Sequence, residues 1–338
     1  MPRPLTVLGI ESSCDDTAAA VLRDGRVLSN VVAGQEVHAR WGGVVPELAS
    51  RAHQEHIVPT VQEAIRQAGI AIADIDAVAF TQGPGLIGAL LVGACYARSF
   101  AQALGKPLVA VDHIKAHVLA HFIRDTEERV PPRFPFLNLT VSGGHTQLVL
   151  VRDALDMEVI GTTLDDAAGE AFDKGAKVLG LPYPGGPLID RHAREGDPAR
   201  YPLPVPDVAG HDMSFSGVKT AFANLIRKGE LHDAGFAARE LPHLCASLQA
   251  HIVRILLGKL EHAARERGIT EIGLSGGVSA NSRLRAEAQA MAMRNGWRLH
   301  LPPFAYCTDN AAMIAMAGDL LYRAGRTAGL DVVPVARF

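Results

Sequence analysis

The feature that most restricts the fold is a pattern that occurs twice. Leu5 to Ile10 is an apolar run ending in Glu11-Ser12-Ser13-Cys14-Asp15-Asp16-Thr17. A second run, Ala18 to Leu22, leads through the turn Arg23-Asp24-Gly25-Arg26 into a third, Val27 to Val32. Short apolar runs separated by polar loops and tight turns read as strand, loop, strand, turn, strand. Past the proline-rich stretch Pro131-Pro132-Arg133-Phe134-Pro135 the order returns: Phe136 to Val141, the loop Ser142-Gly143-Gly144-His145-Thr146, Gln147 to Val151, Arg152-Asp153, and Met157 to Thr162. Ser13 and Thr17 are four apart, as are Ser142 and Thr146, and Arg152-Asp153 follows Thr146 at the offset at which Arg23-Asp24 follows Thr17. A duplicated hairpin implies two related halves, each offering a loop of backbone N–H groups and small hydroxyls. With 338 residues, 48% hydrophobic, the chain is long enough for two such cores.

Between the copies, residues 46–68 carry apolar residues at helical intervals, with Pro59 a possible kink. A strand at Ala77 to Phe80 then empties into Gly83-Pro84-Gly85-Leu86-Ile87-Gly88 and an apolar helix reaching about Leu104. That glycine pattern has the context of a dinucleotide fingerprint, with Asp112 as its acidic residue; glycines serving a tight turn and close helix packing are the alternative. The strand Leu108 to Val111 leads into Asp112-His113-Ile114-Lys115-Ala116-His117. If residues 113–122 are helical, His113 and His117 project from one face about a turn apart, suited to sharing a metal ion; two ordinary helix histidines are the other reading.

In the second half, Asp165 to Leu179 reads as a helix, Pro182 to Pro187 as a loop, and 198–216 as an ordered loop carrying Ser214-Phe215-Ser216-Gly217-Val218-Lys219. A long amphipathic helix spans about Leu241 to Arg267, with Gly258 its weakest point. Ile269 to Leu274 is a strand opening into Ser275-Gly276-Gly277-Val278-Ser279-Ala280-Asn281. Pro302 to Asn310 is a loop and Ala311 to Ala324 a closing helix. The loops at 11–17, 142–146 and 275–281 each follow a buried strand and are rich in Gly, Ser and Thr. Together they could surround a nucleotide, or each could be a plain turn. No G-x-x-x-x-G-K-[ST] occurs, so any phosphate would be held by backbone and hydroxyls.

A net charge of −3 lacks the basic excess of a protein that grips nucleic acid across a broad face. Any such role needs a local patch or a partner. Cys14, Cys95, Cys245 and Cys307 are widely spaced, which argues against a zinc knuckle or disulfide scaffold and fits a reducing cytosol. Neither a signal peptide nor a run of membrane-spanning length is read in the sequence, so the expected location is cytoplasmic.

The ordered motifs GIESSCDDT, HIKAH, VSGGHTQL, DDAAGEAFDK, YPGG, FSGVK, GGVSANSRLR and YCTDN, across nearly the whole chain, resemble the TsaD family of tRNA threonylcarbamoyladenosine synthases, formerly called O-sialoglycoprotein endopeptidases. The resemblance implies an α/β, actin-like ATPase fold (ribonuclease H-like) of two duplicated subdomains, with nucleotide and metal in the cleft between them. The duplicated hairpin implies the same fold independently. The expected subdomains are 1–130 with about 311–338, carrying the partner interface and histidine ligands, and 131–310, carrying the nucleotide site. Implied metal ligands are His113, His117 and Asp309, a donor set that suits one divalent iron(II) or zinc(II) ion per subunit. Implied substrate contacts are Thr140, Val141, Ser142, Gly143, Gly144, Asp173, Gly186, Asp190 and Asn281. For two of these a structural alternative stands: Asp173 as a solvated helix acid, and Asp190 as a residue favouring a helix start.

The family transfers a threonylcarbamoyl group from threonylcarbamoyl-AMP to the exocyclic amine of the adenosine beside the anticodon in tRNAs reading codons that begin with A. Asp15 is the candidate to orient or deprotonate that amine. Asp16 stands where many relatives have glutamate. Implied partners are an inactive TsaB-like paralogue, docking on the N-terminal half, and a small TsaE-like ATPase. A metalloprotease would need H-E-x-x-H, but Ile114 occupies the glutamate position. A small-molecule kinase and a non-catalytic scaffold of the same fold are the remaining alternatives.

Overall fold

The computed structural model describes residues 4–35, 38, 41, 43–125 and 129–337. In chain order the main elements of the first part are β1 (Thr6–Glu11), β2 (Thr17–Arg23), β3 (Arg26–Ala33), α1 (Pro46–Ala68), β4 (Ala77–Gly83), α2 (Ile87–Leu104), β5 (Leu108–Asp112) and α3 (His113–Leu119). There follow β6 (Phe136–Val141), β7 (Thr146–Val151), β8 (Met157–Thr162), α4 (Ala168–Val178), α5 (Gly186–Ala193), α6 (Ser216–His232), α7 (Phe236–Arg239), α8 (Leu241–Arg267), β9 (Glu271–Ser275), α9 (Ser282–Asn295), β10 (Arg298–His300) and α10 (Ala311–Arg323). They form two compact units, Met1–Pro131 with Pro302–Phe338, and Pro132–Leu301. Residues 302–310, read from sequence with the second half, lie in the first unit, where Asp309 reaches the α3 histidines.

The sheets repeat one another strand for strand. The first is ordered β3-β2-β1-β4-β5 and the second β8-β7-β6-β9-β10. In each, the first three strands are antiparallel and the last two continue parallel to the opening strand. In such sheets the carboxyl ends of the parallel strands face the loops that bind ligands. Glu11, Thr81 and Asp112 end or nearly end the parallel strands of the first sheet; Val141, Ser275 and His300 end those of the second.

The repeated threonines show why the pattern survives. Thr17 Oγ1 lies 2.7 Å from His53 Nδ1, in the helix after the first hairpin. Thr146 Oγ1 accepts from Ala168 N, at the start of the helix after the second, at 2.9 Å. The same hydroxyl position ties each hairpin to its following helix through a different partner.

Helix α10 packs against β1, β2 and β4, and Gly9 makes the approach possible, since a Cβ there would stand 2.4 Å from Ala311 O and 2.7 Å from Ala315 N. The second core gathers Phe172, Phe215, Phe222 and the buried face of α8, including Leu248, Ile252 and Leu256. Helix α2 is long and apolar enough to cross a bilayer, contrary to the expectation that no run comes near that length. Its buried residues Ala94, Ala97 and Ala101 belong to the first unit's core.

Three local expectations change. The helix expected from Asp165 starts at Ala168, because both aspartates are spent elsewhere: Asp165 accepts from Ser214 Oγ and from Phe215 N and Ser216 N, and Asp166 from Lys174 and Lys219. Helix α6 was not anticipated, although Val218, Phe222 and Ile226 are buried at helical spacing. Helix α1 runs through Pro59 without interruption.

Two glycine substitutions should move stability in opposite directions. Gly9→Ala overfills the β1–α10 contact and should cost about 1–3 kcal/mol. Gly258→Ala, on an exposed face of α8 with open space around it, should add about 0.5–1 kcal/mol. Thermal unfolding midpoints of the two variants check both signs.

Candidate functional site

The strand β5 ends at Asp112, whose Oδ1 accepts from Ile114 N at 2.8 Å and Lys115 N at 3.0 Å. That carboxylate is an N-cap, and it sets the register in which His113 and His117 share one face. The dinucleotide reading of residues 83–88 therefore loses its acidic residue. Its glycines serve close packing: a Cβ at Gly83 would meet Val335 O at 1.9 Å, one at Gly85 would meet Ser13 O at 2.5 Å, and one at Gly88 would meet Ser50 Oγ at 2.4 Å. The chain's tail holds this turn, with Gly85 N donating to Ala336 O and Val335 N to Gln82 O.

His113 and His117 are buried, with ring centroids 4.7 Å apart and planes nearly perpendicular. The Nε2 atoms of both lie 3.3 Å from Asp309 Oδ1. Behind His113 stands Glu11, fully buried at the end of β1. Glu11 Oε1 accepts from Ser13 N at 2.5 Å; Oε2 accepts from Thr81 Oγ1 at 2.7 Å and from His113 Nδ1 at 2.9 Å. A carboxylate so placed puts the His113 proton on Nδ1 and leaves Nε2 free to coordinate. Neither ring nitrogen of buried His117 has a hydrogen-bond partner among the described residues.

The charges show what the cluster needs. Burial alone would raise Glu11, but the charge and bond of His113 hold it below the usual carboxylate range. Asp309 is likewise opposed by burial yet held well below that range by His113 and then His117. Burial works against a proton on His113, but Glu11 and Asp309 raise it well above an ordinary histidine. Burial keeps His117 low, hence neutral. Two ionised carboxylates facing two imidazoles call for positive charge, and a proton on His113 supplies only part of it. The donor set His113, His117 and Asp309, with lone pairs converging and open positions left, fits a divalent ion.

Asp15 and Asp16 are half-buried in the first loop. Its backbone is fixed by His53, whose Nε2 donates to Cys14 O at 3.0 Å while Nδ1 accepts from Thr17 Oγ1, and by Leu86 N donating to Ser13 O at 2.8 Å. Burial, then the charge of Asp15, pushes the Asp16 carboxyl up to about 7.

In the second unit the Thr140 hydroxyl is buried in a network with Asn138 and Ser275, at 2.9 and 3.2 Å. Val141 is also buried, and its carbonyl lies so close to Gly276, at φ +83°, that a side chain there would stand 2.4 Å from it. Ser142 closes the hairpin on His145. Gly143 and Gly144 are exposed, with open space where a Cβ would sit. The most exposed part of this loop is thus glycine backbone.

Three further residues form a relay of helix starts. Asp173 is no solvated acid: its Oδ1 accepts from Gly185 N at 2.8 Å and Gly186 N at 3.2 Å, holding the start of α5, while burial raises its pKa against those bonds. Asp190 lies inside α5 and serves the start of another helix, accepting from Ser282 N, Ser282 Oγ and Gln249 Nε2 at 3.2, 2.7 and 2.5 Å. Asn281 caps that helix, its Oδ1 accepting from Leu284 N at 3.0 Å. Gly186, Asp190 and Asn281 are therefore connected, and Asp173 fixes the first of them. Sequence reasoning missed Glu11 and His53; for Glu11 the available signal was an acid ending a run otherwise read as a buried strand.

A sequence profile described as TsaD, tRNA N6-adenosine threonylcarbamoyltransferase, matches residues 26–316. The protein of that name from Cytophaga hutchinsonii is 53% identical over 333 residues, 98% of this chain and 96% of its own. That from Porphyromonas gingivalis is 53% identical over 338 residues, 100% of this chain and 99% of its own. Among solved structures, full-length HypF in its phosphate- and nucleotide-bound form superposes with a TM-score of 0.62 at 11% identity, covering 95% of this chain and 48% of that one. T. kodakarensis HypF gives 0.59 at 15%, covering 96% and 50%. At such identity the likeness speaks for the fold alone, the duplicated actin-like α/β fold that the sheet order also gives. The nearly full-length identity to the curated relatives decides the family: the chain belongs to the TsaD family of tRNA N6-adenosine threonylcarbamoyltransferases.

Proposed function

We propose that the chain transfers the threonylcarbamoyl group of threonylcarbamoyl-AMP to the exocyclic amine of the adenosine beside the anticodon, in tRNAs reading codons that begin with A, releasing AMP. This is acyl transfer from a mixed anhydride to a weak nucleophile. It needs the amine positioned, the acyl oxygen polarised and the departing phosphate stabilised. The observation that carries the reading is the convergence of buried His113 and His117 on half-buried Asp309, in a chain that matches the family along its length.

Those three residues hold one divalent ion, iron(II) by preference and zinc(II) as the alternative. When bound, such an ion supplies a Lewis acid for a phosphate or carbamoyl oxygen. Glu11 fixes the tautomer and tilt of His113. It is also fully buried with its oxygens occupied, so it is unsuited to act as the hydrolytic base of a protease, and Ile114 offers none. In the second unit the open Gly143-Gly144 backbone suits an oxygen of the adenylate, and Gly186, Asp190 and Asn281 suit the nucleoside. Asp15, on its anchored loop, orients or deprotonates the amine.

With a net charge of −3, the chain leaves part of the tRNA grip to partners: a TsaB-like paralogue on the first unit and a TsaE-like ATPase. We place the work in the cytoplasm, where tRNA is.

Three variants test the assignments. Glu11→Gln should weaken metal retention roughly 10–100-fold, read by elemental analysis after dialysis, with transfer recovering in excess metal; wild-type metal content would remove Glu11 from this role. Asp15→Asn should leave adenylate affinity nearly unchanged while slowing transfer, and equal loss of both sinks the assignment. Asn281→Ser keeps a helix cap of similar strength, so stability should hold while the KM for the adenylate rises; an unchanged KM would leave Asn281 as a cap and no more.

A further inference from the structure

A second group of side chains outside this site converges with metal-ligand chemistry. His262 and Glu266 stand one turn apart on α8, and His211 comes over them from the loop before α6. One ligand atom from each of the three lies within 4.8 Å of the other two. His211 Nε2 is 3.1 Å, and His262 Nε2 3.6 Å, from Glu266 Oε2. Ligands about 2.0–2.1 Å from a tetrahedral zinc lie roughly 3.3–3.4 Å from one another. The two measured edges bracket that separation, and the edges of the first cluster are 3.3 Å. The two imidazoles are tilted by 53°, with centroids 5.3 Å apart.

The surrounding backbone fixes His211 in place. Lys259, one turn before His262, donates to Val208 O at 2.6 Å and Gly210 O at 2.7 Å. Gly161 passes so close that a Cβ on it would stand 2.3 Å from His211 O. On the far side Asp212 Oδ1 accepts from Thr162 N, and Met213 N donates to Thr162 O. The His211 side chain is 9% exposed, and its Nδ1 has no hydrogen-bond partner among the described residues. Burial lowers its pKa, which favours the neutral, coordinating form. His262 and Glu266 are 63% and 53% exposed, so an ion can enter from solvent.

We propose that His211, His262 and Glu266 form a second site for a divalent transition-metal ion, zinc(II) by preference, with water completing the coordination. Two imidazoles and one carboxylate suit iron(II) and zinc(II) alike, and on an open site such as this the affinity order favours zinc(II), whereas magnesium and calcium favour sites built of oxygen. A bound ion cross-links the 198–215 loop to α8. Because Asp212 and Met213 join that loop to β8, and Ser214 to Asp165, the ion steadies the approach to α6.

The test counts zinc(II) on the full chain. With the first cluster disabled by His113→Ala and His117→Ala, equilibrium dialysis and elemental analysis should still find one zinc(II) per chain. Its thermal midpoint should also rise with zinc(II) concentration. Adding His262→Ala or Glu266→Gln, both at exposed positions, should weaken binding by more than the roughly 10–100-fold that loss of a supporting contact costs. Cobalt(II) should give tetrahedral visible absorption only while His262 is present. A disabled chain that binds no zinc(II), or binding that His262→Ala and Glu266→Gln leave unchanged, overturns the proposal. Should the disabled chain fail to fold, the count on the otherwise unaltered chain decides: His262→Ala must remove one equivalent, and an unchanged total overturns the site.

Discussion

The buried carboxylate of Glu11 is the constraint on which the first unit's site depends. A charge taken out of water must find partners or lose its proton. Here the partners are a backbone N–H from the loop behind it, a hydroxyl from the neighbouring parallel strand and an imidazole from α3. One side chain thus joins β1, β4 and α3 and decides which face of His113 is available. Removing one partner would strand the others, so the arrangement holds as a unit.

Duplication supplied two copies of one architecture, and the copies diverged in what they place at equivalent ends. The first unit fills its strand ends with titratable groups, Glu11 and the α3 histidines. At the ends of β6 and β9 the second places the neutral network of Asn138, Thr140 and Ser275 and exposed glycine backbone. The contrast is local: β1 ends in a buried carboxylate where its counterpart β6 ends beside neutral hydroxyls and an amide, on sheets of the same strand order.

Much of this was legible because the strands are short, buried and bounded by turn residues. The repeated spacing from Ser13 to Thr17 and from Ser142 to Thr146 was enough to expect matched hairpins, and the histidine pair follows from a four-residue interval. What escaped was the identity of partners distant in sequence. Glu11 reads as the polar end of a strand until His113, over a hundred positions later, folds against it. Asp165 and Asp166 read as helix residues because nothing local shows that Ser214 and Lys219 will claim their carboxylates. Asp190 reads as a helix-start residue, and it is one, for a helix ninety residues further on. Local propensity cannot see such debts across the chain.

The contact between the tail and the glycine turn reaches further than packing. Val335 and Ala336 bond to Gln82 and Gly85, and Gly85 sits against the carbonyl of Ser13, in the loop that carries Asp15. Segments with no regular structure are ordinarily the ones a chain can best lose or alter. In this molecule a change that disturbs residues 333–336 would act on the first loop without altering any residue within it.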